Sequence, residues 1–153
     1  MNGNNTTNSS TYESIQACID RRLDEIEERA SAIIDTRWQQ VMHHEKQNVG
    51  WVNRSRLSLR CYRKGGNIRL EWSGVKWKKQ EDGKVLRLRV HIKKGSNHNY
   101  PITRLLPFMA EWEQPIVEEA EEELSQIRRE AYHLNRALTS IRYAWKAALK
   151  RND

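Results

Sequence analysis

The chain has 153 residues, enough for one domain with its own core, and 27 Lys+Arg against 20 Asp+Glu give it a net charge of +7. No apolar run approaches the ~20 residues that a membrane-spanning helix needs, and the polar Asn/Thr/Ser-rich start is not that of a signal peptide. Cys18 and Cys61 are too few and too far apart for a disulfide framework or a metal cluster, so a reduced, cytoplasmic protein is expected.

Residues 1–11 lack apolar side chains after Met1 and are expected to form a disordered tail, leaving 12–153 as a single α+β domain. Ser10 or Thr11 is placed to cap the helix that follows. Between 12 and 48 there is no Pro or Gly, and Ile15, Ile19, Leu23, Ile26, Ala30, Ile33, Trp38 and Val41 recur mostly in steps of three and four. That period predicts one long amphipathic helix over 12–48, with Gly50 as its stop.

Residues 51–94 change period from 3.6 to two and predict a three-stranded antiparallel β-meander. Leu57, Leu59 and Cys61 alternate with Arg56, Ser58, Arg60 and Tyr62, and the strand ends in the turn Lys64-Gly65-Gly66-Asn67. Ile68, Leu70 and Trp72 then alternate with Arg69 and Glu71. At Ser73-Gly74 the apolar parity moves to Val75 and Trp77, which leaves Lys76 and Lys78 on the other face. A glycine at such a parity change predicts a β-bulge. After the turn Glu81-Asp82-Gly83, Leu86, Leu88, Val90 and Ile92 oppose Arg87, Arg89, His91 and Lys93. Trp72 and Trp77 are both expected in the core.

A loop over 95–112 leads to a second long helix over 113–151, with Pro115 in its first turn and a run of glutamates near its start. Its apolar residues, from Ile116 through Leu124, Ile127 and Leu138 to Ala148, keep heptad spacing. The acidic first half of the first helix complements the basic second half of the second. The expected architecture is therefore two long antiparallel helices, a coiled-coil-like hairpin, with the meander inserted at one end. Pairing between chains in a homodimer is the alternative.

Charge concentrates on the meander. Residues 50–104 hold fifteen Lys+Arg and three acids, a balance of +12, so the rest of the chain sums to −5. The candidate nucleic-acid-binding set is Arg54, Arg56, Arg60, Tyr62, Arg69, Lys76, Lys78, Arg87, Arg89, His91, Lys93 and Lys94. Arginine pairs bidentately with phosphate and stacks on bases, and Tyr62 is placed to stack as well. Catalytic constellations do not emerge. Gly83-Lys84 lacks the remainder of a phosphate loop, and His43 and His44 point about 100° apart on a helix. Glu71 is the one acid within the strands, without the further carboxylates of a metal-dependent nuclease. These residues read as a non-enzymatic DNA-binding protein without cofactor or metal. The alternatives are a helical adaptor for an acidic protein, an RNA-binding protein, and a nuclease built on Glu71.

His91-Ile92-Lys93-Lys94-Gly95, then Tyr100-Pro101, Glu111-Trp112-Glu113, a glutamate-rich helix start and Ile127-Arg128-Arg129 follow one another across residues 51–138. This layout resembles the MobI-type proteins of integrative conjugative elements and conjugative plasmids. The resemblance implies an accessory factor at the origin of transfer that helps a separate relaxase, or another conjugation protein, start DNA mobilisation. It brings no catalytic residues with it.

Overall fold

The computed structural model describes residues 3–151, with side chains described from residue 8 onward. Helix α1 runs Gly3–Gln47, a 3-10 turn covers Trp51–Asn53, and strands β1 (Leu57–Lys64), β2 (Asn67–Lys79) and β3 (Val85–His91) follow. A short helix α2 (Ile102–Leu105) continues into a second 3-10 turn, Leu106–Phe108, before the long helix α3, Gln114–Arg151. The α+β architecture expected from the periodicities is present: α1 and α3 pack together, and the three strands form an antiparallel sheet in the order β1-β2-β3.

Helix α1 begins well before residue 12. Ser10 and Thr11, expected as caps of a helix leaving a disordered tail, lie inside it, and Ser14 Oγ donates to the Ser10 carbonyl at 2.9 Å. Met1 and Asn2 lie outside the described residues. Lengthening an existing helix gains one hydrogen bond per residue fixed and avoids the cost of nucleation, which polar residues of middling propensity tolerate. Tyr12 also stacks on Trp145 of α3, with ring centroids 5.9 Å apart. At the other end the helix stops at Gln47, and Gly50, with φ of 128°, a conformation open to glycine, leads the chain into the 3-10 turn.

The two long helices are antiparallel because Arg22 pairs with Glu130 and Arg29 with Glu123, partners whose numbers run in opposite directions. These pairs join basic residues of α1 to acidic residues of α3, the reverse of the complementarity expected from the helix halves. The α1 acids Asp24 and Glu27 turn instead to Arg63 of β1. Between the helices and the sheet lie Leu23, Ile26, Ala30 and Ile33 of α1, Val117, Leu124 and Ile127 of α3, and Leu57, Leu59, Ile68, Leu70 and Trp72 of the strands.

Buried charge ties the first turn of α3 to this core. Arg37 of α1 donates to Glu113 at 2.9 Å and to the Leu57 carbonyl at 3.3 Å, and Ser55 hydrogen-bonds the same carboxylate. Burial pushes the Arg37 guanidinium pKa down against the pull of Glu113. Trp112 anchors the approach to α3, donating from its indole to the Asn53 carbonyl and stacking on His44 at 4.8 Å.

The sheet is staggered. β2 has thirteen residues; β1 pairs along Asn67 to Gly74, and β3 pairs along Ser73 to Lys79. Both registers run without interruption through Ser73 and Gly74, so the expected β-bulge is absent. The glycine answers a packing need instead. A Cβ at Gly74 would lie 2.4 Å from the ring of Phe108, which sits directly on the strand.

Unbroken alternation corrects the faces beyond Gly74. Val75 and Trp77 share the face of Arg69 and Glu71, beside Arg89 and Arg87 of β3. Lys76 and Lys78 share the opposite face with their partners Leu88 and Leu86. Trp77 is therefore half-exposed rather than in the core, and Val85, Leu86 and Leu88 are exposed as well. The core-forming helix residues lie over β1 and the first half of β2, and β3 makes its main contacts with β2. The far end of β2 and β3 forms a two-stranded ribbon in which Val75 is buried but Trp77, Val85, Leu86 and Leu88 remain open to solvent.

Candidate nucleic-acid interface

On the face turned away from the helices, period-two alternation gathers Ser58, Arg60 and Tyr62 from β1, Arg69, Glu71, Ser73, Val75 and Trp77 from β2, and Arg87, Arg89 and His91 from β3. Ten of the twelve residues expected to bind nucleic acid lie on this face or the loops continuing it. Lys76 and Lys78 point the other way and leave the set. Arg56 enters at the start of β1 and donates to the Pro107 carbonyl at 2.8 Å. Arg54 lies over the Trp51 ring at 5.2 Å. Lys93 and Lys94 follow β3, and their carbonyls accept hydrogen bonds from Arg104.

Glu71 organises one corner of the face. Arg60 donates to one carboxylate oxygen at 3.0 Å and the Tyr62 hydroxyl to the other at 2.9 Å, while the Arg60 guanidinium lies 4.6 Å from the Tyr62 ring centre. Burial pushes the Glu71 carboxyl up, but the hydrogen bonds from Arg60 and Tyr62, together with the charges of Arg60 and Arg69, hold its pKa below the ordinary value. Both oxygens are committed to neighbours, as for an ion-pair partner that fixes arginine geometry. Among the described residues, no carboxylate lies within ion-pairing distance of Arg69, Arg87 or Arg89.

At the Arg69 end, the face continues into a groove of about 910 Å³ between the first half of β2, the loop after β3, and α3. Arg69, Lys93, Lys94, His98, Tyr132 and Arg136 line it. The stagger of the sheet opens this space, because β3 does not pair beyond Ser73 on that side of β2. A buried ion pair supports the groove. Glu121 accepts from Arg128 at 2.6 Å, from the Trp72 indole at 2.6 Å and from the Tyr100 amide at 2.8 Å. Arg128 also donates to the carbonyls of Leu70 and His98 at 2.9 and 3.0 Å. Strand, loop and helix are thus fixed through two side chains.

The groove carries more positive charge than its acids neutralise. Burial pushes the Lys94 ammonium pKa down, and Arg128 and Arg69 add to the effect. Burial and then Lys94 lower the pKa of His98. Tyr132 lies 4.9 Å from the His98 ring and accepts a 3.0 Å hydrogen bond from Arg136. Sequence reasoning missed Tyr132 and Arg136 as parts of this surface. The spacing of four between Tyr132 and Arg136 puts both on one face of α3, and is the signal that was there to find.

The family model described as MobI protein matches residues 26–142, from the middle of α1 through the sheet to most of α3. The chain belongs to the MobI family. That membership bears out the resemblance carried by the 51–138 layout, and places the protein among those of conjugative mobilisation. No curated protein and no solved structure matches the chain significantly. The MobI match takes in the basic face and the groove residues up to Ser140, including Arg136. Among the described residues of this MobI family member, no helix is long and apolar enough to cross a membrane, and no three His, Cys, Asp or Glu side chains gather as metal ligands.

Proposed function

We propose that this MobI family member is a non-enzymatic DNA-binding accessory protein, acting in the cytoplasm at the origin of transfer beside a separate relaxase. The observation that carries the reading is the imbalance of the open sheet face. Among the described residues Arg69, Arg87 and Arg89 have no carboxylate within ion-pairing distance, and Glu71, the acid of this face, is held by Arg60 and Tyr62. An unneutralised arginine surface attracts a polyanion, and planar guanidinium groups suit phosphate oxygens. On the helices, Arg22 and Arg29 of α1 are instead paired with Glu130 and Glu123 of α3, and Arg63 of β1 is held by Asp24 and Glu27. Lys93, Lys94 and Arg136 extend the positive track into the groove.

Binding of this kind releases counterions, so affinity falls steeply with salt. Changing Arg69, Arg87 and Arg89 together to Ser is expected to weaken binding to duplex DNA from beside the origin, and to lower the log–log salt slope by about 2–3. Changing Arg142, Lys146 and Lys150 on α3 serves as the control with equal loss of charge. Fluorescence anisotropy across a salt series reads both. A larger effect from the α3 set assigns the wrong surface, and absence of binding even at low salt refutes DNA binding. A preference for origin DNA over an unrelated fragment distinguishes action at that site from general affinity.

A further inference from the structure

Six tryptophans are a heavy investment in apolar surface for a chain of this size, and three of them are not spent on the core. Trp38 of α1, Trp51 of the first 3-10 turn and Trp77 of β2 are 54%, 71% and 48% exposed. All three line one open cavity of about 560 Å³ at the ribbon end of the basic face. Tryptophan normally contributes by burying its large ring, so three half-exposed rings around one space leave a sizeable apolar surface unsatisfied. Trp51 and Trp77 meet edge to face, with centroids 6.1 Å apart. Beside Val52, Leu57 and Val75, the lining holds three cations, Arg54, Arg56 and Arg87. Glu45, the one acid there, is engaged by the Ser55 amide at 3.0 Å.

Flat aromatic walls with positive groups at the rim suit a ligand that is itself flat, aromatic and anionic. A nucleotide whose base is unpaired has that chemistry. In a duplex the faces of the base are covered by its neighbours, whereas in a single strand they are free to stack on aromatic side chains while the backbone follows positive charge. Positive charge continues from the cavity. Arg87, Arg89 and Arg69 lie along the same face between Trp77 and the groove, a span of about 26 Å at ~3.3 Å per strand residue. The geometry points to a binding site for single-stranded DNA, with one or more unpaired bases stacked in the Trp38–Trp51–Trp77 cavity. This rests on the DNA-binding reading and adds to it a stated substrate form: locally unpaired DNA.

The test uses the full chain with a fluorescein-labelled twelve-nucleotide oligo(dT) and a labelled twelve-base-pair duplex. Anisotropy reads affinity, and tryptophan emission reads contact with the rings. Oligo(dT) is expected to bind and quench the emission. The Trp51→Ala/Trp77→Ala variant is expected to lose about ten-fold or more in oligo(dT) affinity, with less than about two-fold on the duplex, and Trp77→Phe to retain most of the binding, as base–aromatic stacking requires. Trp51→Ala alone, a change in an exposed turn, is the second probe if the double variant does not fold, and a measurable loss specific to oligo(dT) is expected from it too. Oligo(dT) binding without quenching, or equal losses on both DNA forms, overturns the inference. Binding of duplex alone overturns it while leaving the proposed function standing; binding of neither overturns both.

Discussion

Replacing Glu121 by Gln removes one charge from the most connected buried site of the protein while nearly preserving its shape. The wild-type carboxylate is 7% exposed and Arg128 6%. Its oxygens accept two bonds from Arg128, at 2.6 and 3.1 Å, in addition to those from Trp72 and the Tyr100 amide. Glutamine offers one acceptor oxygen in place of two and leaves the buried guanidinium without a counter-charge. Breaking a buried pair from one side costs about 3–5 kcal/mol, most of it the penalty of the orphaned charge. The retained oxygen and the Leu70 and His98 carbonyls favour the lower end, about 3 kcal/mol. With a urea m-value of ~2 kcal/mol/M, the unfolding midpoint should drop by about 1.5 M. The Tyr100 amide, which loses a charged acceptor, should also exchange faster with deuterium under native conditions. A Glu121→Gln midpoint within about 0.5 M of wild type, at the same m-value, would refute the argument that this pair anchors strand, loop and helix.

Gly74→Ala places a Cβ 2.4 Å from the Phe108 ring and should cost about 2 kcal/mol through overpacking, a fall of about 4–8 °C in melting temperature. Partial recovery is expected in Gly74→Ala/Phe108→Leu, and an unchanged melting temperature in the single variant would contradict the close approach. Glu71→Gln should lower stability slightly at neutral pH and leave DNA affinity largely intact. Because the Glu71 carboxyl titrates below its ordinary value of 4.5 in the fold, its contribution is complete above that value and disappears as pH falls through the folded value. The gap in chemical-denaturation midpoint between wild type and Glu71→Gln should therefore close as pH falls below that ordinary value, and a gap independent of pH would remove the assigned role of the Arg60 and Tyr62 hydrogen bonds.

The long helices and the strands that face them were legible because burial writes a period into sequence. Leu23, Ile26 and Ala30 recur at helical spacing, and Leu57 and Leu59, then Ile68, Leu70 and Trp72, alternate at strand spacing. The same logic misled where burial ends. Past Gly74 no helix covers the ribbon, so apolar residues no longer mark the inner face: Val75 is buried on the opposite face and Trp77 is half-exposed, and putting both on the inner parity forced a bulge that does not exist. Glu113, Glu121, Arg37 and Arg128 were opaque for a related reason. In sequence they resemble any charged helix residue, and only the fold brings opposite charges together beneath the surface. The candidate face was legible as a run of arginines on one parity. The groove was not, because it joins a strand edge and loop to residues more than thirty positions away on α3.

The stagger of the sheet has a further consequence at its outer end. β1 stops pairing at Gly74, so on that side the backbone of β2 from Trp77 to Lys79 runs without a neighbouring strand. Such an unpaired edge, beside exposed Val85, Leu86 and Leu88, is a template on which a second molecule could add its own strand. Lys76, Lys78 and Lys79 are exposed along it and bring like charges together if two copies approach. The lysines that fell out of the nucleic-acid-binding set thereby acquire a different duty, as guards against self-association. Neutralising them is expected to leave the fold and the arginine face in place and to raise self-association, which sedimentation velocity reads.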